Sequence, residues 1–167
     1  MIQKIILFIL TLLGLSRRNS PIKKKRPFEN ILRWEPLARK HQTPNINYMT
    51  ILAIIANESG GDPNAKGSSG EVGLMQLTYR AFLDAKDHAK LKFSFDDIKD
   101  VPENQIESGT AYLDWLYSRL QSLEATIKAY NIGIGNFENG NLTNTAEKYW
   151  RRFIDNKRKL YEVLLNE

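Results

Sequence analysis

Cysteine is absent from the 167 residues. That excludes a disulfide framework, a thiol nucleophile, thiolate-bound zinc and cysteine-linked lipidation, and leaves the compartment open. Histidine is scarce. His41 and His88 lie far apart and share no metal-ligand spacing, so surface or core duty is expected of each and neither a metal nor another cofactor is expected. Long apolar runs are also missing. The longest, Ile5 to Leu15, fits a signal-peptide core and falls short of the roughly 20 residues that span a membrane comfortably. Sustained period-two alternation is not seen either, which argues against an all-β architecture.

What is present describes one ordinary globular unit behind an unusual leader. The length suits a single domain with a real core. Hydrophobic residues at 42% and charged residues at 26% exclude disorder throughout. The net charge of +5 is concentrated in Arg17, Arg18, Lys23, Lys24, Lys25 and Arg26, without which the chain is close to neutral. We therefore divide the chain into a hydrophobic signal- or anchor-like segment (1–16), a basic linker (17–27) and one domain (28–167). No Ala-x-Ala-like site follows the apolar run, so an uncleaved anchor contacting a membrane through residues 5–15 stands as a reading beside a cleaved signal. The positive charge after that run would hold the domain on the cytoplasmic side, so export rests on function and not on the flanks. A basic linker suits anionic lipid or an anionic polymer. No interleaved aromatics or nucleic-acid module accompany it, and no nucleic-acid partner is expected.

From residue 28 the chain reads as all-helical, punctuated by Pro36, Pro44, Pro63 and Pro102. Thr43-Pro44 resembles a cap and first-turn proline, predicting a helix that runs to Glu58. Further helices are expected at 73–86, 103–120, 122–131 and from about Thr143 to the C-terminus. Tyr48, Ile51, Ile54, Ile55 and Glu58 share one helical face, which places Glu58 on the apolar stripe. Burial there would raise its pKa, as a general acid working near neutral pH requires. A terminal helix residue could equally turn to solvent, and position alone does not decide between the two. Asp62, four residues on, reads as part of a turn with Pro63. Asp84, Asp96, Asp97 and Asp100 lie on polar segments and are expected at the surface, whereas Tyr112 and Trp115 fall at core spacing.

Four motifs decide the matter together. Glu58-Ser59-Gly60-Gly61, Gly73-Leu74-Met75-Gln76, Ala129-Tyr130-Asn131-Ile132-Gly133 and Tyr149 in "AEKYWRRF" occur in an order and spacing that resemble the soluble-lytic-transglycosylase-like (SLT domain) family of peptidoglycan-cleaving enzymes. "PENQIESGTAYLDWL" resembles the family's middle helix. The resemblance covers about residues 45–155 and implies an all-α dominated, lysozyme-like fold with little or no sheet and a groove for a glycan strand. It implies cleavage of the β-1,4 bond between N-acetylmuramic acid and N-acetylglucosamine, with 1,6-anhydromuramic ends as product. Glu58 would be acid and then base. By the same resemblance Ser69 matches a loop serine that bonds the glutamate. Met75 and Gln76 match groove residues, with core packing the alternative for Met75. Tyr130 and Asn131 match the cleavage subsites, and Tyr149 the hydroxyl beside the reacting centre. Ser59 reads as a helix-end cap.

Four positions depart from that pattern: Gly67 where a serine is common, Glu71 where the residue is usually small, Gln105 for asparagine, and Tyr79 for the proline after GLMQ. The first two bear on the tuning of Glu58. Rival readings are a goose-type-lysozyme-like muramidase, which needs a second carboxylate to hold water, and a non-catalytic wall-binding component. The expected location is the cell envelope, periplasmic or membrane-anchored facing the wall, or alternatively a virion. The setting stays open between wall turnover, local wall opening for secretion or conjugation, and virus entry or release.

Overall fold

The computed structural model describes residues 28–142 and 144–166. The signal- or anchor-like segment and the basic linker lie outside the described residues, as does Thr143, where the last helix was expected to begin. Among the described residues, eight α-helices make up the fold: α1 (Glu29–Leu32), α2 (Glu35–His41), α3 (Tyr48–Glu58), α4 (Tyr79–Ala89), α5 (Pro102–Leu120), α6 (Leu123–Ile132), α7 (Ile134–Glu138) and α8 (Asn144–Leu165). A single 3-10 turn, Asp96–Ile98, precedes α5. There is no sheet among these residues, only isolated antiparallel bridges at Lys66–Val72 and Val72–Leu77. This is a mostly helical single domain, as expected.

The centre is α3. Ile51, Leu52, Ala53, Ile54 and Ile55 are all fully buried, so this helix is apolar on nearly every side, as a helix wrapped by others must be. Around it pack α2 and α8, and α6 joins α8 to α5. The longest helix, α8, is amphipathic and sinks only Ala146, Tyr149, Phe153 and Leu160. A second cluster, with Leu77, Phe82, Ile98, Tyr112 and Leu116, fills the space between α4 and α5. Tyr130 packs against both clusters. Tyr112 is thus core, while Trp115 is only partly buried. Asp96, Asp97 and Asp100 are exposed and Asp84 is partly so.

Two expected helix starts are corrected. α3 does not begin at Pro44. Thr43 does accept from the backbone of Asn45 and Ile46, at 3.3 and 3.0 Å, but it caps a tight turn that closes when Thr43 N–H donates to Ile46 O. The helix begins after Asn47, whose side chain accepts from Thr50 N–H at 3.0 Å. Likewise Gly73 to Leu77 is a turn and not the start of α4. Gly73 has φ 72° and Gln76 φ 47°, values no helix admits, and α4 starts only after the Thr78 cap.

Candidate active site

Glu58 is the last residue of α3, and the sequence that follows explains why the helix stops there. Gly60 and Gly61 have φ of 61° and 87°, the left-handed conformation in which glycine terminates helices. At Gly61 glycine is demanded twice, because a Cβ would lie 2.2 Å from Asn30 O. Its carbonyl accepts from Arg33 Nη2 at 2.8 Å and from Trp34 Nε1 at 3.0 Å. The end of α3 is therefore locked to the α1–α2 segment. Ser59 is indeed a structural cap. Its hydroxyl donates to Leu74 O at 2.8 Å and accepts from Gly61 N–H at 3.1 Å.

The segment Gly73 to Leu77 is pinned from three helices. Besides the Ser59 bond from the end of α3, Gln105 of α5 accepts from Leu74 N–H at 2.9 Å. Its amide donates to Pro63 O at 3.0 Å. Tyr130 of α6 donates its hydroxyl to Met75 O at 2.7 Å. Gln76 then ties the loop to itself, its Nε2 donating to Ala65 O and Gly73 O. Asp62 is part of a turn, accepting from Asn64 N–H at 2.9 Å.

Around the Glu58 carboxyl, α8 supplies the direct partner. Tyr149 donates its hydroxyl to Glu58 Oε1. Tyr149 is buried, and both burial and the nearby carboxylate hold its phenol well above the ordinary range, so it stays a donor. Tyr130 is pushed up in the same way. Burial raises Glu58 from its ordinary 4.5 to about 7, against the Tyr149 hydrogen bond and the Arg152 charge, which favour the ionised form. Glu71 adds to the rise through like-charge repulsion. Such a group is protonated in much of the population near neutrality and can give up its proton there.

The residues singled out in the sequence divide into those the fold gathers and those it does not. Glu58 and Tyr149 meet directly, and Tyr130 stands close enough to feel the Glu58 charge. Asn131, at the end of α6, is exposed. Ser69 is exposed as well, and its side chain makes no hydrogen bond to Glu58. What it offers is its backbone N–H, which donates to Glu71 Oε2 at 2.8 Å. Met75 is 1% exposed and packs against Gly109, where a Cβ would lie 2.4 Å from its sulfur. It is packed in the core, the alternative already open to a methionine.

Arg152 escaped the sequence reading. It follows Tyr149 by three residues, one turn along the same helix, and that spacing was the available signal. Its guanidinium lies 5.5 Å from the Tyr149 ring centroid and donates to Asn57 O at 3.2 Å. A cavity of about 680 Å³ flanks the loop, lined by residues 63–67 and 70–73 with Phe95, Lys99 and Asp100. Glu58 is not in its wall. Glu71 belongs both to that wall and to the electrostatic surroundings of Glu58. Among the described residues no group of three or more His, Asp or Glu side chains could hold a metal ion, and no helix is long and apolar enough to cross a membrane.

A mostly helical domain with one partly buried, tyrosine-bonded glutamate facing a pinned GLMQ turn defines the class. The sequence profile of the transglycosylase SLT domain matches residues 35–153, and the chain belongs to that family. Its fold is similar to that of the 70 kDa soluble lytic transglycosylase Slt70 from Escherichia coli, with a TM-score of 0.58 and 23% identity over 78% of this chain. It is also similar to an inactive glutamate-to-glutamine mutant of the lytic transglycosylase Slt from Pseudomonas aeruginosa, with a TM-score of 0.55 and 20% identity over 93% of this chain. The chain spans only about a quarter of each of those proteins, 23% and 26% of their lengths.

Proposed function

We propose that this protein is a peptidoglycan lytic transglycosylase in which Glu58 serves as acid and then as base. The observation that carries the reading is the state of Glu58: a carboxyl raised to about 7 by burial and held by the Tyr149 hydroxyl. The carboxylic proton passes to the glycosidic oxygen as its bond to C1 of N-acetylmuramic acid breaks. The C6 hydroxyl oxygen of the same sugar then bonds to C1 while Glu58 takes back that hydroxyl's proton. The product is a 1,6-anhydro end, and Glu58 is returned protonated. An intramolecular nucleophile already held near C1 needs no water and no second carboxylate to position one. The substrate's acetamido group can stabilise the anomeric carbon meanwhile, as in substrate-assisted glycosidases.

Tyr149 keeps Glu58 Oε1 oriented through both steps. Asn131 and the partly exposed edge of Gln76 are available to sugar polar groups. Peptidoglycan strands are then the partner and the cell wall the place of action, whether the protein serves turnover, secretion or a virus. The inactive glutamate-to-glutamine mutant among the similar structures fits a chemistry that hangs on one glutamate.

The muramidase reading has one foothold, Glu71, the further carboxylate that acts on Glu58. Its Oε2 accepts from Ser69 N–H at 2.8 Å, which ties the carboxylate to its own loop. Mass spectrometry of purified peptidoglycan digested with the whole chain separates the readings. Anhydromuramic products that fall by about 10³-fold in Glu58→Gln are expected. Hydrated reducing ends would move the protein to the muramidases. Wall binding without any cleavage would make it a binding component.

A further inference from the structure

Asn57 stands one residue before Glu58, a buried amide just beyond the aliphatic run from Ile51 to Ile55. Its polar groups are met by a single partner helix, α8. The amide nitrogen donates to Tyr149 O at 3.4 Å, and the amide oxygen accepts from Asn156 Nδ2 at 2.7 Å. The backbone carbonyl, one of the last four of α3 and so without a partner inside its helix, accepts from Arg152 Nη2 at 3.2 Å. Tyr149, Arg152 and Asn156 follow one another at three and four residues and share one face of α8. A further tie lies two turns earlier on α3, where Lys157 Nζ donates to Thr50 Oγ1 at 3.2 Å.

The same tyrosine meets two neighbouring residues of α3. Tyr149 gives its backbone carbonyl to Asn57 and its hydroxyl to Glu58 Oε1. Its ring, between those two ends, lies 5.5 Å from the Arg152 guanidinium that also bonds Asn57 O. The apolar stripe of α8 decides which face of that helix meets the core, but apolar contact is non-directional and resists a small slide only weakly. A buried amide resists it strongly, because a displaced partner leaves a donor or an acceptor unpaired. We propose that Asn57 is a positioning residue for the reaction: its bonds to Tyr149, Arg152 and Asn156 fix the register of α8 against the end of α3 and so hold the Tyr149 hydroxyl on Glu58. Asn57 touches no reacting atom and acts through the Glu58–Tyr149 pair, so the proposal rests on the reading of Glu58 as the acid. A displacement of about 1 Å far from the chemistry is enough to slow a positioned reaction by up to about 100-fold.

The test uses the whole chain with Asn57→Ala, Asn156→Ala and Tyr149→Phe, and with each asparagine variant combined with Tyr149→Phe. Release of soluble fragments from purified peptidoglycan gives kcat and KM, and an unfolding midpoint is measured for every variant so that rates are compared on folded protein. In Asn57→Ala kcat is expected to fall about tenfold with KM changed by less than about twofold, the pattern of a group that acts on the transition state alone. Asn156→Ala should show the same split with a loss of about threefold. In the Tyr149→Phe background both losses should largely vanish, because the hydroxyl that Asn57 holds in place is gone. An unchanged kcat in Asn57→Ala overturns the proposal, and so does a loss of equal size with and without the Tyr149 hydroxyl. A raised KM at constant kcat overturns it as well. If Asn57→Ala does not fold, Asn156→Ala and its double variant decide by the same criteria. A Glu58→Gln variant as active as wild type would instead overturn the assignment of the acid, and the proposal with it.

Discussion

The helical wall of the site, α8, and the loop wall, residues 59–77, hold their shapes by different means. α8 presents Tyr149 because an apolar stripe of Ala146, Tyr149, Phe153 and Leu160 is buried against the core, so the hydroxyl is aimed by packing. The loop buries Leu74, Met75 and Leu77 as well, but its backbone path depends on directed bonds, from Ser59, Gln105 and Tyr130, and on glycines that admit close neighbours. Their electrostatic effects on Glu58 also oppose each other. α8 favours the carboxylate through Tyr149 and Arg152, and the loop favours the acid through Glu71. Burial outweighs the helical wall, which is why the balance falls on the protonated side. The protonation of Glu58 is a compromise between two surfaces, and each can be weakened separately.

The largest effect comes from removing the charge on which both walls act. Between its ordinary 4.5 and about 7, Glu58 binds its proton in the folded chain and has lost it in the unfolded one. Stability therefore falls as pH rises through that window. Glu58→Gln escapes the loss, and denaturant unfolding should show little gain at pH 4.5 and a gain of about 2–3 kcal/mol at pH 8. Next is the loop wall's central pin. Gln105→Ala strips the acceptor from buried Leu74 N–H and the donor from Pro63 O, and should cost about 2–3 kcal/mol in the same measurement. Ser59→Ala, which removes the hydroxyl's bonds to Leu74 O and Gly61 N–H at the α3 end, should cost about 1–2 kcal/mol. The smallest change sharpens the contrast most. Tyr149→Phe removes a bond that favours the ionised acid, so the alkaline limb of kcat/KM should rise by about half a pH unit. That is opposite in sign to losing the Glu71 charge, which favours the protonated form. A downward shift would show that Tyr149 does not favour the ionised acid.

The two walls also differ in how far the sequence foretells them. The α5 and α6 helices and the run of α8 follow from apolar periodicity, and Glu58 shares the α3 stripe, though its place there did not decide its role and the motif resemblance did. Tyr149 needed the motif resemblance, since nothing local distinguishes it from a core tyrosine. The loop was read less well because its geometry comes from partners distant in the chain. Gly73 to Gln76 looked like a helix start because its residues can form one. Only contact with Gln105, whose amide carbon would lie 2.3 Å from a Cβ at Gly73, explains the turn. Ser69, expected to bond Glu58, meets Glu71 through its backbone N–H instead, and Glu71 stands where the residue is usually small. That substitution was visible in the sequence, though the space it fills was not. Thr43 was recognised as a cap, but it capped the turn before the helix.

The three pins on the Gly73 to Leu77 segment join residues 15, 31 and 55 positions apart in the chain. Contacts of that span close late in folding, because each must first overcome the entropy of a long loop. The helices are held by local bonds, whereas the turn beside the end of α3 is held only where α3, α5 and α6 meet. A nascent or partly assembled chain would thus carry every residue of the site with no site formed. The candidate site therefore belongs to the tertiary structure as a whole and to no single stretch of the chain.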